Sequence, residues 1–203
     1  MSTTKGQRVG IIIIAIVMVV GTIGSFFIMI VANNNNQQQL TSEQQEQQKM
    51  LEEQQKQAEE YQKQQDELAA KLSPKYYPVL EKYESRPAPF EASKVKKLAT
   101  KDLKEGDGKE VKSLSDLNIY YIGWNPSGKM FDSSFNGDKL GAPLDPSIGL
   151  ITGMNEGIIG MKIGGVREIT IPAEQAYGDQ SPSEDIPAGT PLKFIVLAIP
   201  PQN

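Results

Sequence analysis

Apolar and polar positions change texture several times along the chain. Residues 11–32 (IIIIAIVMVVGTIGSFFIMIVA) carry no charge and are nearly all apolar. As a helix rising 1.5 Å per residue they reach about 33 Å, enough for a hydrocarbon core of about 30 Å, so the run predicts a single transmembrane helix. It is longer than the apolar part of an ordinary signal peptide and no small-residue cleavage pattern follows it, so the anchor is expected to stay uncleaved. Residues 33–41 open with NNNNQQQ, a polar linker with no face to bury. From 42 to 73 the chain is rich in Gln, Glu, Lys and Ala, without Gly or Pro, and Ser42 with Gln45 has capping-box spacing. Glu52/Lys56, Glu59/Lys63 and Glu67/Lys71 are i,i+4 pairs in the favourable order, each worth about 0.2–0.5 kcal/mol. The stretch predicts a helical stalk roughly 45 Å long, ended by Pro74. Its best heptad seam is Leu51, Gln54, Ala58, Tyr61, Gln65, Leu68 and Leu72. Gln and Ala at such positions bury little, so the stalk reads as a solvated spacer, with at most a weak homodimer through the seam.

After Pro74, Gly, Pro and β-branched residues return. Residues 74–93 mix aromatics with prolines and are expected to form a linker or collar. From 94 to 203 short apolar runs alternate with turns. KKLATKDL, LNIYYIGW, GGVREITIP and LKFIVLAIP read as strands. MNEGIIGM (154–161), flanked by glycines, reads as one short helix packed on an antiparallel sheet, an α+β arrangement.

Charge narrows the functions. Lys5 and Arg8 precede the apolar run with no acidic residue among them, which places residues 1–10 in the cytoplasm and everything after 32 outside it. The expected partner there is a lipid bilayer, through 11–32. The net charge of −4 is unlike that of a nucleic-acid binder, and none is expected as a partner. The sequence holds no Cys and no His, which removes thiol nucleophiles, disulfides, Ser-His-Asp triads and the commonest zinc sites. No metal or cofactor is expected. Catalysis must therefore use carboxylates, hydroxyls, Lys, backbone groups or shape alone.

Four blocks occur in order: YIG-x4-GKMFDSS (121–134), ITGMNEGIIGMKIGG (151–165), IPAEQAYGD (171–179) and IPAGTPLKFIVLAI (186–199). Together, over about half the chain, they resemble the FKBP-type peptidyl-prolyl cis/trans isomerases. The resemblance implies a half-open antiparallel sheet wrapped around one short helix, with a shallow apolar pocket between them. It also implies proline-containing polypeptides as clients. Carried over residue by residue, the catalytic positions are Tyr121, Phe131, Asp132, Ile151, Tyr177 and Phe194, and the substrate-binding positions are Leu150, Met154 and Ile186. Leu140 is expected at the rim. The Ile151 N–H and the Tyr177 hydroxyl would donate to substrate carbonyls, with Asp132 a polar orienter and not a general base.

Such chemistry suits a chain without His or Cys, because rotation about X-Pro breaks no bond and moves no proton. The pattern also departs from the family's. Met154 stands where a tryptophan commonly forms the pocket floor, and it makes a less rigid platform; Trp124, in the loop after Gly123, is no replacement. The hairpin DQSPSEDIPAG carries Pro182 and Asp185 where relatives often have His and an apolar residue, so its acidity is expected either to favour basic or polar peptides or to weaken binding. Two other readings stand beside the isomerase: a non-catalytic peptide-binding module or holdase tethered to the membrane, and a structural membrane protein whose working part is the stalk.

Overall fold

The computed structural model describes residues 40–202. The expected transmembrane helix over 11–32, its flank 1–10 and most of the linker 33–41 lie outside the described residues. Among the described residues no helix is long and apolar enough to cross a membrane. The chain divides into two compact units with their boundary between Glu67 and Leu68.

The described residues of the first unit are helical. They form the larger part of α1, whose full extent is Leu40–Leu80. Its side chains are mostly solvated; Met50 and Tyr61 are exposed large apolar residues. Gln62 bonds Asp66 at 2.9 Å and Lys63 pairs with Glu67 at 3.9 Å, the i,i+4 spacing that supports a helix lacking a buried face.

The second unit begins with the last turns of α1. The helix does not stop at Pro74: it runs through Pro74 and Pro78 to Leu80. An interior proline costs about 3 kcal/mol by losing a hydrogen bond and crowding the preceding turn. Leu72, Tyr76 and Leu80 recur four residues apart and are all buried. Full burial of each such side chain returns about 1.5–3 kcal/mol, so tertiary packing overrides the proline signal.

Five strands, β1 (Ala99–Lys104), β2 (Asn118–Trp124), β3 (Met130–Ser133), β6 (Val166–Ile171) and β7 (Leu192–Ile199), form one sheet. Its order is β1-β6-β7-β2-β3 and it is antiparallel throughout. A small hairpin, β4 (Phe135–Asn136) and β5 (Lys139–Leu140), follows β3. The helix expected over 154–161 is α2, Thr152–Ile158. It ends earlier because Gly160 adopts φ 79° and because Arg167 donates to the carbonyls of Gly157 and Ile159 at 3.0 and 3.2 Å, capping its C-terminus.

Alternation along the strands gives the sheet two apolar faces. Ile119, Ile169, Ile171, Phe194, Val196 and Ala198 face α2. Tyr120, Ile122, Trp124, Ile195, Leu197 and Ile199 face Leu72, Tyr76 and Leu80 of α1. Helix α2 approaches closely because Gly153 and Gly157 have no side chain: a Cβ there would lie 2.3 Å from Ile171 Cγ2 and 2.6 Å from Ile169 Cγ2. The aromatic collar packs against the second core through Tyr77, Tyr83 and Phe90, and Trp124 Nε1 donates to the Ala88 carbonyl at 3.2 Å. Trp124 is the last residue of β2, not a loop residue, and faces away from α2.

Candidate active site

Strands β2, β3 and β7 bring three aromatic rings together at one end of the α2 face. Phe131 meets Phe194 edge-on, with ring centroids 5.7 Å apart at 85°. Tyr121 lies 6.4 Å from Phe194 at 54°. Gly123 makes this possible. It pairs with Asp132 on one side and Phe194 on the other, and a Cβ on it would sit 2.6 Å from Phe194 Cε1 and 3.0 Å from Phe131 Cζ. Its absent side chain leaves the space the two rings share.

The polar part of the site is tied to the same strands. The Tyr121 hydroxyl donates to Asp132 Oδ2, and Asp132 Oδ1 accepts from the Ser133 N–H at 2.9 Å. Ser134, buried, accepts from the Tyr121 N–H at 2.9 Å through Oγ and donates its own N–H to the Tyr121 carbonyl at 2.7 Å. Both carboxylate oxygens of Asp132 are thus engaged, which fixes the side chain against β2.

The remaining residues come from loops and α2. Met154 is buried on α2, and Ile186 is buried in the loop before β7. Leu150, Ile151 and Tyr177 are half-buried and pack on the same cluster as Phe131, Met154 and Phe194. Ile151 is the N-cap of α2 and its carbonyl accepts from Met154 and Asn155 at 3.0 and 3.2 Å. Its own N–H has no acceptor among the described residues. The apolar positions named as catalytic or substrate-binding therefore fall in one cluster, with Asp132 bonded to its edge. Leu140 does not. It is buried in the opposite core with Leu72 and Tyr76, and its N–H donates to Ser73 Oγ at 2.8 Å, because β5 folds over the end of α1.

The loop between Gly178 and Gly189 closes on itself. Gly189 donates to the Gly178 carbonyl at 2.7 Å and Ile186 to the Ser183 carbonyl at 3.0 Å. It is also fastened from outside. Asn125 donates to the Asp185 carbonyl at 2.9 Å, and Lys129 pairs with the Asp185 carboxylate at 2.5 Å. Asn125 Oδ1 accepts from Ser127 and Lys129 in the turn that joins β2 to β3. The Asp185 charge is thus neutralised by a partner rather than offered to solvent, which corrects its expected contribution to an acidic rim. Gly123, Asn125 and Lys129 received no role from the sequence. The signal was present in the NPSG turn, where Asn is favoured as a side-chain cap, but its partner lies about sixty residues away. No group of three or more His, Cys, Asp or Glu that could hold a metal ion occurs among the described residues.

A family model described as FKBP-type peptidyl-prolyl cis-trans isomerase matches residues 108–198. An FK506-binding protein of Neisseria meningitidis serogroup A is 39% identical over 102 residues, which cover 49% of this chain and 91% of that protein. An FK506-binding protein of Streptomyces anulatus is 42% identical over 87 residues, covering 41% of this chain and 68% of its own. The crystal structure of AtFKBP13 aligns over 52% of this chain and 93% of its own at 34% identity, with a TM-score of 0.42. On the family model and the near-complete coverage of the Neisseria relative, the chain belongs to the FKBP-type peptidyl-prolyl cis-trans isomerase family.

Proposed function

We propose that this isomerase acts outside the cytoplasm on exported or membrane-proximal polypeptides, held at the bilayer by residues 11–32 and spaced from it by the helical stalk. The reacting surface is the cluster of Tyr121, Phe131, Asp132, Leu150, Ile151, Met154, Tyr177, Ile186 and Phe194. The location rests on the apolar run 11–32 with Lys5 and Arg8 before it; the observation that carries the reacting surface is the convergence of these residues from β2, β3, β7, α2 and two loops onto one partly open apolar cluster.

The mechanism needs no covalent step. The planar amide before proline is charge-separated and is better solvated by water than the twisted amide. Moving it against Phe131, Met154, Ile186 and Phe194 removes that solvation and lowers the relative cost of twisting. A surface shaped to the twisted form adds binding that the planar form does not receive. The Ile151 N–H and the Tyr177 hydroxyl donate to substrate carbonyls and hold the peptide in register. Asp132, fixed by Tyr121 and Ser133, orients the polar edge and is not a proton acceptor.

A non-catalytic docking module is the second reading, favoured by the flexible Met154 at the pocket floor. Proline-limited refolding of a test protein separates the two. With the full chain in neutral detergent, Tyr177→Phe and Phe131→Leu should each slow the catalysed phase about tenfold while leaving a folded domain. Unchanged rates in both variants contradict the assigned surface. Protease treatment tests the orientation: cleavage of the stalk in intact cells is expected, and cleavage only in inverted vesicles overturns it.

A further inference from the structure

A cavity of about 570 Å³ opens on the sheet face opposite the isomerase surface. Its floor is one row across three strands: Ala99 of β1 pairs with Thr170 of β6, which pairs with Lys193 of β7. Lys193 precedes Phe194, so its side chain points away from the isomerase cluster. One wall is the collar segment, through Phe90 and Val95. Lys193 Nζ lies 5.3 Å from the centre of the Phe90 ring, which holds the wall against the floor.

The charge around this cavity opposes that of the chain. Four lysines (94, 96, 97 and 193) and one glutamate (91) line it, in a protein of net charge −4. Lys94 is paired with Glu91 at 2.8 Å, and Lys193 shares Glu168 with Arg86 at 3.1 and 3.0 Å. Lys96 and Lys97 make no ion pair among the described residues, and Lys101 lies two positions beyond Ala99 on the same face of β1. Burial pushes the Glu168 carboxyl up, but the bonds from Arg86 and Lys193 outweigh this and hold it below its ordinary range. The local balance is therefore cationic.

The cavity also adjoins an open edge. Strand β1 ends the sheet order and pairs only with β6 among the described residues, leaving its outer backbone groups available. Lysines on an edge strand commonly guard against sheet-to-sheet aggregation. A guard needs no apolar cavity beside it, whereas a strand-binding groove does: backbone bonds give affinity and a pocket for alternate side chains gives selectivity. We propose that this groove docks an extended acidic polypeptide segment, added to the free edge of β1 with an apolar side chain seated against Ala99 and Val95 at the edge of the cavity. It is a second polypeptide site, separate from the isomerase surface and independent of the client assigned to that surface.

The probe is a fluorescein-labelled, proline-free peptide of alternating Glu and Val, read by anisotropy against the full chain in neutral detergent. Saturable binding is expected. It should weaken about tenfold or more in the Lys96→Glu/Lys97→Glu double variant and as ionic strength rises from about 0.05 to about 0.5 M. Catalysis on a short proline peptide should stay unchanged in that variant. N-methylation of alternate peptide residues should abolish binding by removing the backbone bonds. Equal binding by the double variant, by a Lys-Val peptide or by the N-methylated peptide overturns the proposal, as does no saturable binding. Binding of the domain's basic face to anionic phosphatidylglycerol vesicles, tested by the same double variant, without peptide binding would assign the groove to a membrane surface and equally overturn it.

Discussion

On strand β7, Phe194, Val196 and Ala198 point to one side of the sheet and Ile195, Leu197 and Ile199 to the other, and all six are buried. Composition does not tell the two faces apart; their covers do. One face meets the end of α1, where Leu72, Tyr76 and Leu80 seat on it with Leu140 and Trp124 beside them. The other meets α2, a helix of seven residues. That cover is too short to close the face, so Tyr121, Leu150, Ile151 and Tyr177 stay half-buried around the Phe131–Phe194 pair. An apolar face stays partly open where its covering element ends early, and becomes closed scaffold where the cover is complete.

This contrast can be broken from either side. Leu80 has no exposed surface. Leu80→Ala should lower stability by about 2–5 kcal/mol, measured by urea unfolding, with kcat/KM unchanged at temperatures where the variant remains folded. A matching loss of kcat/KM in the folded variant would show that the scaffold face shapes the site. Gly123→Ala acts on the other face. Its methyl group would press on the Phe194 ring from 2.6 Å. A stability loss of about 1–3 kcal/mol is expected, together with a fall in kcat/KM out of proportion to it. Equal activity per folded molecule would remove Gly123 from the site.

Smaller effects test the fastenings. Lys129→Met releases the Asp185 carboxylate from a partly exposed ion pair, so the stability change should stay within about 1 kcal/mol. KM should rise for acidic peptides and fall for basic ones, because the freed charge lies one residue from Ile186 of the assigned surface. An unchanged preference between the two peptides would show that Asp185 does not reach the client. The smallest expected effect is a pH dependence. Hydrogen bonds from Arg167 hold the Asp102 carboxyl below its ordinary range. Its contribution to stability is therefore complete above the ordinary aspartate value of about 3.9 and fades as pH falls through the lowered one. Asp102→Asn should remove that part of the acid limb of a stability–pH curve. A curve of identical shape would show that the Arg167 bonds bear no weight.

Much of the candidate site was legible in the sequence as a cluster, because its residues sit in short, rigid blocks. YIG, FDSS, the ITGM turn into α2, AYG and the β7 run each keep their residues at fixed offsets, and the structure joins them. What was not legible depends on partners distant in the chain. Pro74 reads as a helix end, and only the sheet beneath Leu72, Tyr76 and Leu80 explains why the helix continues. Leu140 reads as a rim residue until β5 is seen to fold over Ser73. Asp185 reads as a free acid until the β2–β3 turn supplies Lys129. The stretch 74–93 reads as a linker or collar, yet its first part continues α1 and the rest is fastened to the sheet by Trp124 and Phe90.

The face around Phe131 and Phe194 is proposed to speed rotation about the prolyl bond. The most direct measurement is the slow, proline-limited refolding phase of a test protein, followed with and without the full chain in neutral detergent. The phase should accelerate in proportion to added protein, and the acceleration should vanish in Phe131→Leu/Tyr177→Phe. A folded wild-type chain that leaves the slow phase at its spontaneous rate would contradict the role assigned to this face.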